Sequence, residues 1–279
     1  MSALGQPSIA NACDCHMHVY DSRYPAAGTA TLRPPDALVP DYRAVQGAMG
    51  TTRAVVVTPS TYGTDNRPTL AALRELGVEA RGVAVVDTSI TERELESLHA
   101  SGIRGIRFNL TMPGPVDTEM LAPLAARVAP LGWHIQLNAP AAWLPHMQPM
   151  LKTLPARIVF DHYGHLPFGG AEFEPGFEVI ASLLGEGRAW VKLSGPYIES
   201  REGPPLYGDV ASLARRYLEC APGQMVWGSD WPHPTILAKG RSSPDDGDLM
   251  SLFRQWCGDD ALARQVLADN PRRLYGFGP

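Results

Sequence analysis

Eight short apolar segments alternate with segments of helical length along the chain, and this alternation is the strongest constraint on its fold. The segment at 53–58 is apolar almost without interruption, which is typical of a strand covered on both faces in a parallel sheet. Parallel strands need crossover connections, and a helix between successive strands supplies each of them. The pattern therefore predicts an α/β fold, the (β/α)8 TIM barrel, with strands near 13–18, 53–58, 82–87, 103–110, 133–139, 157–163, 189–195 and 224–230.

Helices are expected between these strands and after the last one. The predicted helices are 40–49, a segment capped by Thr64 or Asn66 and ending at 76, 92–100, 119–128, 143–154, 177–184, 207–220, 248–257 and 260–275. An irregular, proline-rich stretch from 20 to 40 is long enough to fold over the mouth of a barrel. No break in composition divides the chain, so a single domain over 1–279 is expected.

Composition argues against several classes of function. With 279 residues, 44% of them hydrophobic, the chain can bury one large core. The formal net charge of -5 gives no basic face, so neither nucleic acid nor an anionic membrane is an expected partner. No apolar run has the length of a spanning helix and no signal peptide is evident, so we expect a cytoplasmic protein of undetermined oligomeric state. The cysteines match no disulfide or zinc spacing and are expected to be thiols: Cys13, Cys15, Cys220 and Cys257.

The carboxyl ends of barrel strands carry the polar residues from which an active site can be built. In the first strand, residues two apart share a face, so His16 and His18 converge while Cys15 and Met17 turn the other way into packing. Polar side chains at the ends of later strands are Arg107, Asn109, Gln136, Asn138, His162, Lys192, Ser194 and Asp230. Three histidines and a carboxylate from strands one, six and eight form the candidate catalytic centre: His16, His18, His162 and Asp230.

Neighbouring residues have less direct expected roles. Asp161 has the opposite parity to the histidine that follows it, so we expect it to point outward and to cap the next helix. His134 lies too early in its strand to reach the mouth and is interpreted as a satisfied interior or bottom-face histidine. Lys192 lies one pleat lower than the end of its strand, where it can pair with a buried carboxylate. His165 and His233 follow strand ends and are interpreted as loop residues.

Four segments resemble, as a set, the amidohydrolase superfamily: DCHMH at 14–18, GIRFN at 105–109, DHYGHLP at 161–167 and WGSDWPHP at 227–234. Within the superfamily they look like the lactone-acting branch, which includes pyrone-dicarboxylate lactonases, sugar-acid lactonases and galactarolactone isomerases. The resemblance runs from about Asn11 to Tyr275, nearly the whole chain. It implies an amidohydrolase-like barrel whose substrate is a small carboxylated lactone.

The same resemblance addresses the question of metal. Many superfamily members complete a metal site with a lysine or glutamate on strand four and a histidine on strand five. Here those strands offer arginine, asparagine and glutamine, which are poor zinc ligands. We therefore expect a metal-independent enzyme without a cofactor. If zinc is bound, its ligands by resemblance are His16, His18, His162 and Asp230.

The expected reaction is attack of water or of a substrate hydroxyl on the lactone carbonyl. Asp230 would act as general base, and the three histidines would stabilise the developing oxyanion. Water gives hydrolysis, whereas a substrate hydroxyl gives isomerisation from a 1,5- to a 1,4-lactone. Arg107 is the expected partner of a substrate carboxylate, with a structural ion pair as the alternative. The residues expected to bind sugar hydroxyls are Asn109, Gln136, Asn138, Ser194 and Tyr197.

These polar groups favour a sugar-acid lactone, such as an aldaric galactaro-lactone, over a flat pyrone. The loop at 110–114 also lacks the basic residues expected for a substrate with two carboxylates. Three alternatives stay open: a 2-pyrone-4,6-dicarboxylate-type lactonase, a zinc-dependent decarboxylase of the same superfamily, and a non-catalytic binding protein on this scaffold.

Overall fold

A computed structural model describes residues 8–279. Eight strands form one parallel sheet in sequential order, and its two outer strands meet through backbone bonds from Asp230 N to His16 O and from His18 N to Trp231 O, both 2.8 Å. The predicted (β/α)8 barrel is confirmed. Its strands are β1 Cys13–Met17, β2 Arg53–Val57, β3 Ala80–Ala84, β4 Ile103–Asn109, β5 His134–Asn138, β6 Ile158–Phe160, β7 Ala189–Ser194 and β8 Met225–Gly228.

Helices separate the strands and close the chain. They are α1 Val39–Met49, α2 Arg67–Leu76, α3 Glu92–Ala100, α4 Leu121–Val128, α5 Leu144–Leu151, α6 Phe173–Gly185, α7 Gly208–Cys220, α8 Pro234–Ala238, α9 Asp246–Cys257, α10 Asp260–Arg264 and α11 Asn270–Tyr275. The bounds of α3 agree with the prediction because Thr91 and Glu94 form a capping box. The predicted helix at 260–275 is instead divided by a π-helical turn, Gln265–Asp269. The five residues of α8 are too few to give a periodic signal.

Strands β3 and β6 each end three residues earlier than predicted. After β3 the side chain of Asn66 takes over the backbone hydrogen bonds that a neighbouring strand would make. Its Oδ1 accepts from Val85 N at 2.9 Å and its Nδ2 donates to Val85 O at 2.8 Å. At β6 the chain leaves the sheet because His162 and Tyr163 have φ values of 46° and 57°. These left-handed values form a tight turn in place of the predicted continuation to 163.

A β-bulge in β1 changes which side chains face the barrel interior. The register against β2 shifts between Asp14 and Met17, which places one extra residue on β1. Cys15 consequently packs inside the barrel beside Val55, whereas Met17 packs between the barrel and the helices. The predicted orientation is therefore wrong for Cys15 and confirmed for Met17.

The core has two parts, one between the barrel and its helices and one inside the amino-terminal end of the barrel. Side chains near the end of the chain close the second part, which contains Cys13, Cys15, Val55, Val57, Val83, Val159, Trp190, Val226, Leu274, Tyr275 and Phe277. Within residues 8–279, no helix combines the length and the apolar character needed to cross a membrane.

Two glycines permit close contacts along the barrel wall. A Cβ atom on Gly228 would lie 2.5 Å from the Cβ of His16, and one on Gly105 would lie 2.5 Å from the ring of His134. Both distances are shorter than van der Waals contact, so a larger residue would push the neighbouring strand away. Glycine at 228 thus lets β8 approach β1 beside His16.

Candidate active site

Four side-chain atoms converge at the carboxyl end of the barrel. The Nε2 atoms of His16 and His18 lie 3.2 Å apart, and Asp230 Oδ1 lies 3.6 and 3.5 Å from them respectively. The Nε2 atom of His162 is 4.0 Å from the same oxygen. All four residues are buried. The structure therefore brings together the residues that the sequence groups as a catalytic centre.

Left-handed backbone turns direct two of these side chains into the mouth of the barrel. His162 follows β6 with a φ of 46°, and Asp230 follows β8 with a φ of 64°. Residues other than glycine seldom adopt such values, and those that do are concentrated at functional sites. The rule of strand ends identifies both residues, but it does not predict the left-handed backbone that directs their side chains.

Asp161 points into the barrel, so the prediction that it faces outward and caps a helix is wrong. It is fully buried, and its Oδ2 accepts from Arg107 Nε at 3.0 Å and from Gln136 Nε2 at 3.1 Å. It shares the parity of Val159, which lies inside the barrel. The turn at His162 then brings the next side chain to the same side, which an ideal strand would not allow.

Both carboxylates are held in the ionised form. Burial alone would raise the pKa of Asp161, but His16, Arg107 and Lys192 outweigh it and hold that pKa well below its ordinary value. Burial likewise opposes ionisation of Asp230, and the imidazoles around it outweigh burial, so its pKa is also strongly lowered. Asp230 can therefore accept a proton at neutral pH.

The histidines have the opposite tendency. Burial lowers the pKa of His162 to about 4. Burial, followed by the nearby Lys192 ammonium, holds the pKa of His16 well below its ordinary value. Both rings are therefore neutral at pH 7, and each carries hydrogen on one nitrogen.

Lys192 determines which nitrogen of His16 carries hydrogen. Its buried ammonium donates to Gln136 Oε1 at 2.7 Å and lies 3.3 Å from His16 Nδ1. When the ammonium donates to His16 Nδ1, that nitrogen accepts and the hydrogen is on Nε2; Asp161 Oδ1, also 3.3 Å from Nδ1, then has no hydrogen-bond partner within residues 8–279. The Nε2 hydrogen faces His18 Nε2, and His18 Nδ1 in turn donates to Val57 O at 2.8 Å. Hydrogen bonds can thus connect Lys192 through His16 and His18 to β2.

The predicted pairing of Lys192 with a buried carboxylate is confirmed. Its Nζ lies 3.8 Å from Asp161 Oδ1, and both side chains are inaccessible to solvent. Burial lowers the pKa of Lys192 to about 8. The lysine is still largely protonated at pH 7, as its donor role toward His16 requires.

Ser194 controls the hydrogen on His162. The serine Oγ lies 3.0 Å from His162 Nδ1, and the serine carbonyl oxygen lies 3.3 Å from the same nitrogen. When the hydroxyl donates to Nδ1, the hydrogen of the ring is on Nε2, at the cavity. His162 can then present an N–H to a ligand, whereas the corresponding nitrogen of His18 accepts.

A cavity of about 80 Å³ lies beside the converging atoms and is lined by His18, His162 and Asp230. Tyr20 and Leu32 from the 20–40 stretch also line it. The hydroxyl of Thr61 donates to Leu32 O at 2.7 Å and fastens this stretch to the loop after β2. The proline-rich segment thus folds over the barrel mouth.

Arg107 is compatible with both roles considered for it. Its Nε is used in the ion pair with Asp161, and the side chain also lines the cavity. Within residues 8–279, the terminal nitrogens of Arg107 make no hydrogen bond. The guanidinium can therefore bind a carboxylate while Asp161 fixes its orientation.

The other residues expected to bind substrate fall into two groups. Asn109 and Asn138 line the cavity and are joined by a bond from Asn138 Nδ2 to Asn109 Oδ1 at 3.0 Å. Gln136, Ser194 and Tyr197 lie behind the lining residues, where they contact active-site side chains. The hydroxyl of Tyr197 donates to Asp230 Oδ2 at 2.7 Å.

Several lining residues are absent from the sequence-based set. Ser60 follows β2 and accepts from Asn109 Nδ2 at 2.7 Å, and the rule of strand carboxyl ends could have identified it. Thr235 has a buried hydroxyl without a partner in the described part of the chain. His165 lines the cavity and pairs with Glu199 at 2.8 Å. Thr235 lies in the five-residue helix α8 and His165 in the turn after β6, and neither segment is long enough to give a periodic signal.

The ligand atoms of His16, His18 and Asp230 lie close enough together to hold one metal ion, and His162 belongs to a second such group with His16 and Asp161. Ligand atoms of tetrahedral zinc lie about 3.3 Å apart, and the separations given above range from 3.2 to 4.0 Å. Zinc would need a bare Nε2 on His16, and therefore a hydrogen on Nδ1, toward which Lys192 now donates. His162, whose hydrogen is on Nε2 when Ser194 donates to Nδ1, would need the same change of tautomer to become a ligand.

Comparison with known proteins gives consistent matches over nearly the full chain. A model of the amidohydrolase family matches residues 13–277. The chain is 34% identical over 278 residues to 2-pyrone-4,6-dicarboxylate hydrolase of Comamonas testosteroni, covering 95% of this chain and 90% of that protein. It is 32% identical over 270 residues to D-galactarolactone isomerase of Agrobacterium fabrum, covering 96% and 92%. A crystal structure of an Agrobacterium tumefaciens protein matches with a TM-score of 0.89 at 31% identity over 100% of both chains.

Proposed function

Because the chain belongs to the amidohydrolase family, in its lactone-acting branch, we propose that it acts on a carboxylated sugar-acid lactone by general-base catalysis. One observation carries the proposal. An ionised Asp230 lines the cavity with its Oδ1 among three imidazoles, and the Arg107 guanidinium lines the same cavity. A base, a hydrogen-bond donor and a carboxylate partner thus face one cavity.

The proton transfers follow from these groups. Asp230 takes the proton of the attacking hydroxyl as the new carbon–oxygen bond forms. The Nε2–H of His162 binds the carbonyl oxygen as it becomes negative. When the ring carbon–oxygen bond breaks, Asp230 returns the proton to the leaving alkoxide. Water as attacker gives the open hydroxy acid, and a substrate hydroxyl gives the 1,4-lactone from the 1,5-lactone.

Cavity chemistry supports a sugar acid as substrate. Within residues 8–279, Arg107 is the one arginine or lysine that lines the cavity, which suits one bound carboxylate. Neutral hydrogen-bonding groups of Ser60, Asn109, Thr111 and Asn138 also line it and suit the hydroxyls of an aldaric lactone such as galactaro-lactone. The similarity to 2-pyrone-4,6-dicarboxylate hydrolase makes a pyrone dicarboxylate the second candidate.

We also propose that the reaction needs no metal. The hydrogen-bond connection from Lys192 to His16 and His18 supports this, because it satisfies the ring nitrogens without a cation at Nε2. The ionised Asp161 and Asp230 are balanced by two buried cations. A zinc ion, where present, would polarise the lactone carbonyl. Its ligands would be His16, His18 and Asp230, with His162 as the fourth ligand that the family resemblance implies.

Proton NMR with freshly prepared galactaro-δ-lactone tests the proposal. Growth of the γ-lactone above the spontaneous rate would identify an isomerase, and growth of the open diacid would identify a lactonase. A parallel sample contains 2-pyrone-4,6-dicarboxylate. Turnover of that compound and not of the sugar-acid lactone would identify the pyrone dicarboxylate as the substrate. No acceleration with either compound, nor with other carboxylated lactones, would contradict the proposal.

An Arg107→Gln variant tests the carboxylate site in the same assay. Loss of a paired guanidinium–carboxylate contact should raise KM by about tenfold or more. An unchanged KM would remove Arg107 from carboxylate binding.

A further inference from the structure

The two oxygens of Asp230 have different surroundings. Oδ1 faces the three histidines at 3.5 to 4.0 Å. Oδ2 accepts from the Tyr197 hydroxyl at 2.7 Å, the shortest contact of this carboxylate among those given above. Tyr197 does not line the cavity, so its hydroxyl acts on Asp230 and not on a ligand. Its bond fixes the plane of the carboxylate and leaves Oδ1 at the cavity.

The Tyr197 hydroxyl is itself held from behind. His233 Nδ1 lies 2.9 Å from the tyrosine oxygen. His233 Nε2 lies 3.3 Å from both oxygens of Asp246, in the first turn of α9. His233 and Asp246 are buried, and within residues 8–279 these are the side-chain partners of the His233 ring nitrogens. A chain of side-chain contacts thus runs from α9 to Asp230.

Counting hydrogens gives this chain a direction. The hydroxyl of Tyr197 has one hydrogen, and a carboxylate can only accept, so that hydrogen lies toward Asp230. Burial, with the neighbouring Asp230 charge, raises the pKa of Tyr197 well above its ordinary value, which keeps this hydrogen in place. His233 Nδ1 must then donate to the tyrosine oxygen. Asp246 is also a carboxylate that can only accept, so His233 Nε2 donates to it, while the two donors nearest Asp230, His233 Nδ1 and the Tyr197 hydroxyl, point toward Asp230.

From this arrangement we propose that Tyr197, His233 and Asp246 are positioning residues that hold Asp230 with Oδ1 as the basic oxygen. The inference rests on the proposed role of Asp230 as general base. Simple loop packing would also place the three side chains together. It would not require His233 and Tyr197 to donate toward the catalytic carboxylate. Their effects on turnover should therefore be coupled, because His233 and Asp246 act through one hydroxyl.

A double-mutant cycle with Tyr197→Phe and Asp246→Asn tests the coupling. Tyr197→Phe should lower kcat by about tenfold or more, since a hydrogen bond to a charged group is lost, with KM changed much less. Asp246→Asn should lower kcat by a smaller factor in the natural protein and by no further factor in the Tyr197→Phe background. Equal factors in both backgrounds would overturn the proposal. Tyr42→Phe, which removes a 3.1 Å hydroxyl bond to the buried Asp14, is the matched control and should keep kcat.

Nitrogen-15 NMR of histidine-labelled protein tests the chain without any turnover. His233 Nδ1 should carry hydrogen at pH 7, and its resonance should shift in Tyr197→Phe but not in Tyr42→Phe. A His233 ring without hydrogen on Nδ1 would overturn the proposal. If no lactone is turned over but the NMR result is as expected, the proposed function fails while the directed chain stands.

Discussion

The two ends of the barrel interior use their buried side chains in different ways. At the amino-terminal end Val55, Val83, Val159 and Val226 fill the space by packing. His134 is also buried there, and neither of its ring nitrogens has a side-chain or backbone partner in hydrogen-bonding geometry within residues 8–279. At the carboxyl end the strands instead supply polar groups held by other polar groups. Burial is common to both ends, so hydrogen bonding distinguishes most of the candidate site, where Asp161 Oδ1 and Thr235 Oγ1 are the buried atoms without a partner within residues 8–279.

The largest expected effect comes from removing the base at the carboxyl end. Asp230→Asn keeps the size of the side chain but cannot accept the proton, so kcat should fall by about 10³-fold. The kcat is measured in stopped or continuous assays on the lactone identified by NMR. Asp248→Asn, at an exposed position, is the matched control. Near-normal turnover of Asp230→Asn would exclude this residue as the base.

The second effect is on stability in acid. The pKa of His162 is lowered from 6.5 to about 4, so between these values the unfolded chain binds more protons than the folded one. The free energy of unfolding should therefore fall as pH is lowered from 6.5 to 4, by about 3 kcal/mol for this group. Burial raises the pKa of Asp14 to about 6, which gives a contribution of the opposite sign.

Urea unfolding of the natural protein and of His162→Asn isolates the histidine, because the contribution of Asp14 is common to both. The difference in unfolding free energy should change across this pH window. A constant difference would show that His162 is not a neutral buried group.

A smaller effect is expected from the serine that controls His162. In Ser194→Ala the ring can only donate from Nδ1 to the backbone, so Nε2 loses its hydrogen and kcat should fall by about tenfold. KM should change little because Ser194 does not line the cavity. Ser212→Ala, which removes an exposed hydroxyl bond to Gly208 O, is the control. Unchanged kcat would mean that His162 donates no hydrogen bond in the reaction.

The smallest effect is expected at the other end of the barrel. His134→Leu removes two ring nitrogens that lack partners, so the free energy of unfolding should change by about 1 kcal/mol or less, or increase. Turnover should stay within about twofold of the natural protein. A large loss of activity would show that the packing at the amino-terminal end affects the candidate site at the carboxyl end.

Strand periodicity predicts the barrel and much of its carboxyl end. The β1 histidines, Arg107 and Asp230 follow from the rule that barrel strands present catalytic groups at their ends. The rule fails where the backbone departs from an ideal strand. Asp161 is missed because β6 ends before the left-handed turn at His162, and Cys15 is misplaced because of the bulge in β1.

The contacts behind the site are not predicted from the sequence for a different reason. Tyr197, His233 and Asp246 come from irregular segments and from a helix start, and their contact depends on tertiary packing. Hydrogen positions are also beyond sequence reasoning, since Lys192 and Ser194 determine the tautomers through contacts across the barrel.

We propose that hydrogen-bonded histidines, and not a metal ion, surround the base at the carboxyl end. Zinc content and kcat measured on the same chelator-treated preparation test it most directly. We expect full turnover at a zinc content far below one ion per chain, with no gain when zinc is restored. Turnover that rises in proportion to bound zinc would contradict the claim.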